Sequence, residues 1–413
     1  MAERGTTLPG TESTDRDRVV CHVDVDCFYA ACERLREPAL RGEPVVVGMG
    51  YEDGETVGAV ATASYEAREY GVESAQAIST ALEHLPRRAD ADDPADTAYY
   101  RPVDMEFYES VSQDVKSVLH DLGDTVREVS VDEAYLDVTD RTDWDVVEGF
   151  ARHVKQRIER EAGVTASVGV APTMSAAKVA SDHDKPDGLV VVGPDEVEDF
   201  LAPLDVGDLH GVGPVTAREL RDMDVETVGD VADADPAVLE DRFGEQGRAL
   251  SRRARGEDDR EVEPRGRPKS LSRESAFAEA AADHDAVRER ATHLAEAVAD
   301  RARRRGALYR TIGVKVVTPP YDVHTRARSL PGPVDDPDLV EEVALDLLSE
   351  FADDRVRKVG VRVSKLSFGA ADQASLDGFE DANAAATSSE HRDEGGAATG
   401  GPLAGQTTLD DFR

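Results

Sequence analysis

His22–Ala30 reads HVDVDCFYA, and Ser130–Asp137 reads SVDEAYLD. In the first stretch Asp24 follows a run carrying Val19, Val20 and Val23, with Val25 next to it. Such a strand should be mostly buried. An acid at its end is costly unless the charge is paired or binds a cation. In the second stretch Asp132 and Glu133 lie near the turn of a probable hairpin, Thr125–Val129 and Ala134–Val138. Two acidic strand ends that meet in space can chelate two divalent cations. Paired cations suit in-line phosphoryl or nucleotidyl transfer, because they stabilise both the attacking and the leaving oxygens.

The rest of the chain tells whether those ends meet. Tyr108, Val111, Val115, Val118 and Leu119 fall on one face of a helix over 105–119. A second helix is expected over Val146–Glu161 and a strand over Thr165–Val170. With the strand Val19–Asp26 and the hairpin, the order is strand, helix, strand, strand, helix, strand. That is the order of a ferredoxin-like split βαβ sheet, in which the first strand lies beside the later hairpin. Short strands at Val45–Gly48 and Val57–Thr62, and helices over Ser64–Tyr70 and Ser74–His84, form an insertion between the first strand and the first helix.

The bulk composition sets limits. The 413 residues suffice for two or more domains, and the formal charge is −38, from 48 Lys/Arg and 86 Asp/Glu. So acidic a chain ordinarily argues against nucleic acid as a partner. The acids are spread through the folded segments as well as the ends, which reads as solvation of a protein working at very high salt. Residues 265–368 differ: 19 Lys/Arg stand against 17 Asp/Glu, a net of +2, so the remainder bears −40. Cys21, Cys27 and Cys32 form no CxxC pair and read as reduced core thiols of a cytoplasmic protein. There is no apolar leader and no run long enough to cross a membrane. A monomer is the simplest reading.

Further blocks follow in order: AVATASYEAR at 59–68, SVGVAPTMSAAKVASDHDKPDG at 167–188, HGVGPVTAREL at 210–220 and KSLSRE at 269–274. Together with the two acidic stretches they resemble the Y-family DNA polymerases of the DinB, or polymerase IV, type, from about Val19 to Phe368. The resemblance implies an α+β multi-domain fold, a right hand with a ferredoxin-like palm (18–27 and 97–190) and small fingers (28–96). A helical thumb with a helix-hairpin-helix (191–256), a charged linker (257–268) and an α/β little finger (269–368) complete it. Residues 1–17 and 369–405 are expected to be disordered.

The resemblance also implies template-directed, low-fidelity synthesis past damaged bases, without proofreading. Primer-template DNA and dNTPs would be the substrates. Asp24, Asp132 and the Val25 carbonyl would bind two Mg²⁺ ions per active site, with Glu133 as the catalytic glutamate. Asp26, two residues beyond Asp24 on the same side of the strand, is expected to be structural or to support the metal ligands, with direct metal contact as the lesser alternative. Tyr29 falls at the steric-gate position, beside Phe28, and would exclude a ribose 2′-hydroxyl. Thr62, Tyr65 and Arg68, spaced by three, would cradle the triphosphate, and Lys185 would add a point charge. Gly58 and Ala59 fall at the roof over the nascent pair.

Gly211 and Gly213 would turn the helix-hairpin-helix so that helix-start amides face a DNA phosphate. Arg273, and Arg326 with Arg328 at alternate strand positions, would contact phosphates from the little finger. The final QTTLDDFR resembles a sliding-clamp-binding peptide through Gln406, Leu409 and Phe412, with Arg413 where a second aromatic is usual. Two other readings differ in class. A noncatalytic DNA-binding or scaffold relative would not keep the acid triad. A nucleotide cyclase with a palm-like sheet would not carry the helix-hairpin-helix and clamp peptide.

Overall fold

The structure is a computed structural model that describes residues 18–369 except residue 92. The N-terminal 1–17, the tail after 369 and the octamer with Gln406, Leu409 and Phe412 lie outside the described residues. Internal contacts divide the chain into two units that part after Arg265.

The first unit opens with β1 (Val20–Val25), α1 (Phe28–Arg36), β2 (Val45–Met49), β3 (Ala59–Ala63), α2 (Tyr65–Arg68), α3 (Ile78–His84) and β4 (Tyr99–Pro102). It continues with α4 (Met105–Leu122), β5 (Thr125–Glu128), β6 (Glu133–Asp137), α5 (Val147–Ala162), β7 (Ala166–Ala171), α6 (Met174–His183) and β8 (Leu189–Val191). Its central sheet runs β5-β6-β1-β7-β8, so the βαββαβ core has the expected ferredoxin-like order with β8 added at one edge. β1 is antiparallel to both β6 and β7, and Asp24 pairs with Glu133 in register.

Asp104 caps α4 by accepting from the Phe107 amide at 3.1 Å, and the predicted face from Tyr108 to Leu119 is buried. Thr173 caps α6 in the same way. Gly169 of β7 is required, since a Cβ there would stand 2.2 Å from the Ala177 carbonyl oxygen. That close approach seats α6 directly on the sheet. The insertion forms its own sheet, β3-β2-β4. Its first helix is shorter than expected: α2 begins after Ser64, whose hydroxyl accepts from the Ala67 amide, and ends at Arg68.

Five helices follow: α7 (Val197–Leu201), α8 (Pro214–Arg221), α9 (Val228–Asp233), α10 (Pro236–Phe243) and α11 (Glu245–Ala254). The start of the charged segment then docks on this same unit. Asp258 is buried, accepting from the Ser175 amide at 3.2 Å and pairing with Arg260 at 2.7 Å, and Val262 joins the core. Arg265 donates to the Val129 carbonyl at 2.8 Å. The charged stretch expected as a linker is thus anchored over its first part by a paired acid and one buried valine. The three cysteines are buried and free. Among the described residues no helix is long and apolar enough to cross a membrane.

The second unit holds β9 (Ser270–Ala281), α12 (His284–Arg304), β10 (Tyr309–Thr318), β11 (Asp322–Val334), α13 (Pro337–Leu348) and β12 (Val356–Ser364). The sheet order is β11-β10-β12-β9. Ile312, Val314, Val316, Val359, Val361 and Val363 form its core with α12 and α13. β9, rich in Ala and Ser, has little intrinsic strand preference, and its pairing with β12 over Ser270–Ala276 and at Ala281 decides its conformation.

Candidate active site

β1 ends in an acidic corner because the sheet register leaves it no alternative. The Val25 amide donates to the Asp132 carbonyl at 2.9 Å, and the Asp26 amide donates to the Thr165 carbonyl at 3.0 Å. Asp24 is thereby set beside Glu133 and Asp132, although more than a hundred residues separate them. Burial, with the neighbouring Asp24 and Glu133 charges, pushes the Asp132 carboxyl up to about 6, against the opposing Ser130 hydrogen bond. Like-charge crowding of this kind is what a divalent cation relieves, and oxygen donors suit Mg²⁺. The donor chemistry therefore fits a hard metal ion. Among the described residues, however, no three His, Cys, Asp or Glu side chains already close into a ligand set. The corner is instead countered by protein cations.

Lys185 reaches Asp24 at 2.7 Å and Asp182 at 2.9 Å. Lys178 contacts Asp182 at 2.8 Å, Glu133 at 3.8 Å and Asp24 at 3.9 Å. His22, fully buried on β1, lies 3.4 Å from Glu133 through Nε2 and 2.7 Å from the Ser181 hydroxyl through Nδ1. Burial raises the Glu133 carboxyl, but the His22 contact and the Lys178 charge outweigh it and hold Glu133 below the ordinary carboxylate range.

Asp26, within reach of the Asp24 and Lys185 charges, is a structural hub beside this corner. It is 7% exposed and accepts from the Asp187 amide at 2.8 Å, the Ser167 hydroxyl at 2.9 Å and the Tyr65 hydroxyl at 3.3 Å. It thus ties α2 to the loop that carries Lys185. Arg68 lies over the Tyr65 ring at 4.8 Å and donates to the Ala63 carbonyl at 3.0 Å. Thr62, on β3, enters from the same segment. Tyr65, Arg68 and Lys185 are close enough that both cations favour an ionised Tyr65, although burial dominates and raises its phenol.

Cys27 adopts φ 46°, a left-handed conformation disfavoured for any residue with a Cβ, and swings the chain from β1 into α1. Phe28 and Tyr29 follow and are both 2% exposed. Tyr29 stacks on Tyr108, with ring centroids 4.6 Å apart and planes 18° apart. Tyr108 in turn donates to the buried Glu33 at 2.7 Å. The aromatic floor is therefore fixed from below by an acid on α1.

A cavity of about 410 Å³ adjoins the corner between α6 and the loop before α8, lined by Lys178, Asp182, His183, His210 and Gly211 among others. Gly211 has φ +97°, and a Cβ there would meet the Arg253 guanidinium at 2.5 Å. Arg253 donates to the His210 carbonyl at 3.0 Å and so braces the turn. Gly213 precedes α8, where no side chain caps the helix and its first amides stay open.

In the second unit the placement differs from the alternation argument in one respect. Arg326 and Arg328 do share a face, but they stand opposite Val314 and Ile312, on the side covered by the helices. Arg326 pairs with Glu350 at 2.6 Å, and Arg328 pairs with Asp346. Arg273 stands opposite Val361 and faces the same side from the other edge. The open face carries Lys315, Lys358 and Arg362. Lys315 and Lys358 both reach Glu274, at 3.0 and 3.2 Å. Alternation shows which residues share a face, whereas only the helix packing shows which face is open.

Sequence reasoning missed His22, Lys178, Asp182 and Tyr108. The Lys-x3-Asp-x2-Lys spacing of 178, 182 and 185, in a chain poor in lysine, was the available signal.

The geometry agrees with comparisons to known proteins. Residues 23–182 match the impB/mucB/samB family, 194–225 its HHH motif, and 268–377 its C-terminal domain. The chain is 67% identical to DNA polymerase IV of Halobacterium salinarum over 99% of both chains. It is 41% identical to DNA polymerase IV of Methanoculleus marisnigri, covering 89% of this chain and 99% of that one. Among solved structures, a Y-family DNA polymerase chimera of Dbh and Dpo4 superposes with a TM-score of 0.75 at 29% identity, covering 85% of this chain and all of the other. An insertion ternary complex of Dbh DNA polymerase gives 0.61 at 27% identity with the same coverage. Identity this high across the full length, with the polymerase fold and the acidic corner in place, settles the family: the chain belongs to the Y-family DNA polymerases of the DNA polymerase IV type, DNA-directed polymerases of translesion synthesis.

Proposed function

We propose that nucleotide addition takes place at the corner of Asp24, Asp132 and Glu133, with two Mg²⁺ ions held by these carboxylates and the Val25 carbonyl. The observation that carries this is the register pairing of Asp24 with Glu133, which brings both acidic segments to one sheet end. When bound, the ions would supply charge neutralisation at the triphosphate and a more acidic primer 3′-hydroxyl. The protein's own part is positioning. Thr62, Tyr65 and Arg68 hold the triphosphate, with Lys185 as an added cation, and Asp26 keeps these groups in one frame. Tyr29, packed on Tyr108 with Phe28 beside it, sits under the sugar and excludes a ribose.

DNA is held without sequence reading. Gly211 and Gly213 present backbone amides at the start of α8. In the little finger the open face, with Lys315, Lys358 and Arg362 over a glycine floor of Gly313 and Gly360, is the better phosphate surface. Arg273, Arg326 and Arg328 stand on the opposite, helix-covered side, where Arg326 and Arg328 would reach phosphate only by exchanging their acid partners, as Lys315 and Lys358 would exchange Glu274. At high salt, ionic contacts to DNA weaken steeply. The terminal Gln406, Leu409 and Phe412 then tether the enzyme to a sliding clamp, which raises local concentration without new DNA contacts. Buried free cysteines fit a reducing cytoplasm.

The test is primer extension at molar KCl with Mg²⁺ and four dNTPs, comparing the wild type with the Asp132→Ala, Glu133→Ala double variant. Extension should fall by at least about 10²–10³-fold, the effect of removing one preorganised charge contact. Retained extension in the double variant would refute this site.

A further inference from the structure

The cations at the acidic corner form a defined bracket. Asp182 uses one oxygen for each lysine: Oδ2 holds Lys178 at 2.8 Å, and Oδ1 holds Lys185 at 2.9 Å. Both ammonium groups are thereby presented to Asp24, Lys185 at Oδ1 and Lys178 on the side of Oδ2. Lys178 also faces Glu133. α6 cannot drift from this position, because Gly169 admits it against β7 with no room for a side chain.

A carboxylate oxygen bonded to an ammonium at 2.7 Å is not available to a metal ion, and the positive charge repels one. Lysine, a flexible stem with a point charge, can exchange one anion for another. A triphosphate arriving at Tyr65 and Arg68 offers such anions beside Lys185.

We propose that Lys178 and Lys185, bracketed by Asp182, couple divalent-cation uptake at Asp24 and Glu133 to arrival of the nucleotide triphosphate. They are positioning residues, and the inference rests on the metal-site reading above. The triphosphate draws Lys185 off Asp24 Oδ1 and uncovers it. Lys178, still held by Asp182, keeps the corner's affinity for a lone cation low. Linkage requires that the cation tighten triphosphate binding by the same factor.

The test is Mn²⁺ binding to the full chain at molar KCl, read from the electron paramagnetic resonance signal of free Mn²⁺. It is run with and without primer-template and a non-hydrolysable α,β-imido deoxynucleoside triphosphate, whose own Mn²⁺ binding is measured separately. In the wild type the triphosphate should tighten Mn²⁺ by about 5–150-fold, the range of linked sites. Without triphosphate, Lys178→Met should bind Mn²⁺ about tenfold more tightly than wild type, and Lys185→Met should bind it more tightly and also lose most of the coupling. Asp182→Asn should bind it more weakly, and Lys178→Arg should behave as wild type. Circular dichroism shows that each variant is folded, and Lys178→Gln replaces the Met variant if that one is not. Equal wild-type affinity with and without triphosphate, no tightening in Lys178→Met, or undiminished coupling in Lys185→Met overturns the inference and leaves the metal site standing. Mn²⁺ binding indifferent to Asp24→Asn overturns the metal-site reading and the inference together.

Discussion

Replacing Asp26 with alanine tests the frame that joins the triphosphate cradle to the palm. The substitution removes the acceptor for the Asp187 amide and the Ser167 hydroxyl, both short contacts, and for the more distant Tyr65 hydroxyl. Ser167 is fully buried, so water cannot take the place of the carboxylate there. Each stranded donor costs about 1–3 kcal/mol. Against this stands the burial of the carboxylate itself, which raises its pKa above the usual value. Folded Asp26 therefore holds its proton more tightly than the unfolded chain does, and its ionised form works against the fold. The net cost of Asp26→Ala should be about 3 kcal/mol, the middle of two such losses less the relief of desolvation. In a unit of this size that lowers the melting temperature by about 6–12 °C. Asp26→Asn escapes the charge penalty and keeps one acceptor, so it should cost about 1 kcal/mol. Urea unfolding in molar KCl reads both as midpoint shifts at constant slope. In primer extension Asp26→Ala should raise KM for dNTP about tenfold with a smaller change in kcat, because it loosens positioning rather than chemistry. Equal costs for Ala and Asn, or an Ala cost below about 1 kcal/mol, would refute the reasoning.

Tyr29→Ala should raise the ratio of ribonucleotide to deoxynucleotide incorporation by about 10–200-fold, the range set by a pocket that discriminates one small group. An unchanged ratio in a folded variant would remove Tyr29 from sugar selection. Deleting residues 406–413 should strongly reduce synthesis stimulated by a sliding clamp and leave distributive synthesis nearly intact, and equal loss in both would sink the tether. Burial, reinforced by the Arg253 charge, pushes the His210 imidazole down to about 4. The unfolded chain then takes up that proton first, so His210 costs stability as pH falls from about 6.5 and has no effect above about pH 7. The stability advantage of His210→Gln over wild type should therefore grow from pH 7 to pH 5 in urea titrations, and a pH-independent difference would contradict the buried neutral ring.

Much of this was legible before any coordinates. The start of α4 and both ends of α5 fall within one residue of the expected bounds, and α4 runs three residues further, because an amphipathic helix must bury one stripe. The order of strands and helices gave the palm topology, since few connections of that order are possible. Asp24, Asp132 and Glu133 could be named because acids at buried strand ends need a counter-charge. The docked segment around Asp258 and the strand β9 were not legible, because their partners, Ser175 and β12, are remote in sequence.

The sequence by itself determined the acidic strand ends, the aromatic pair at 28–29 and the basic shift after residue 265. These reside in composition and local spacing. Tertiary structure alone decided three further matters: that Asp26 ties Tyr65 to the loop carrying Lys185, that Lys178 and Lys185 converge on one aspartate, and that Lys315, Lys358 and Arg362 occupy the open face of the little finger. In each case the deciding quantity is which surface a neighbouring element covers, and periodicity carries no information about that.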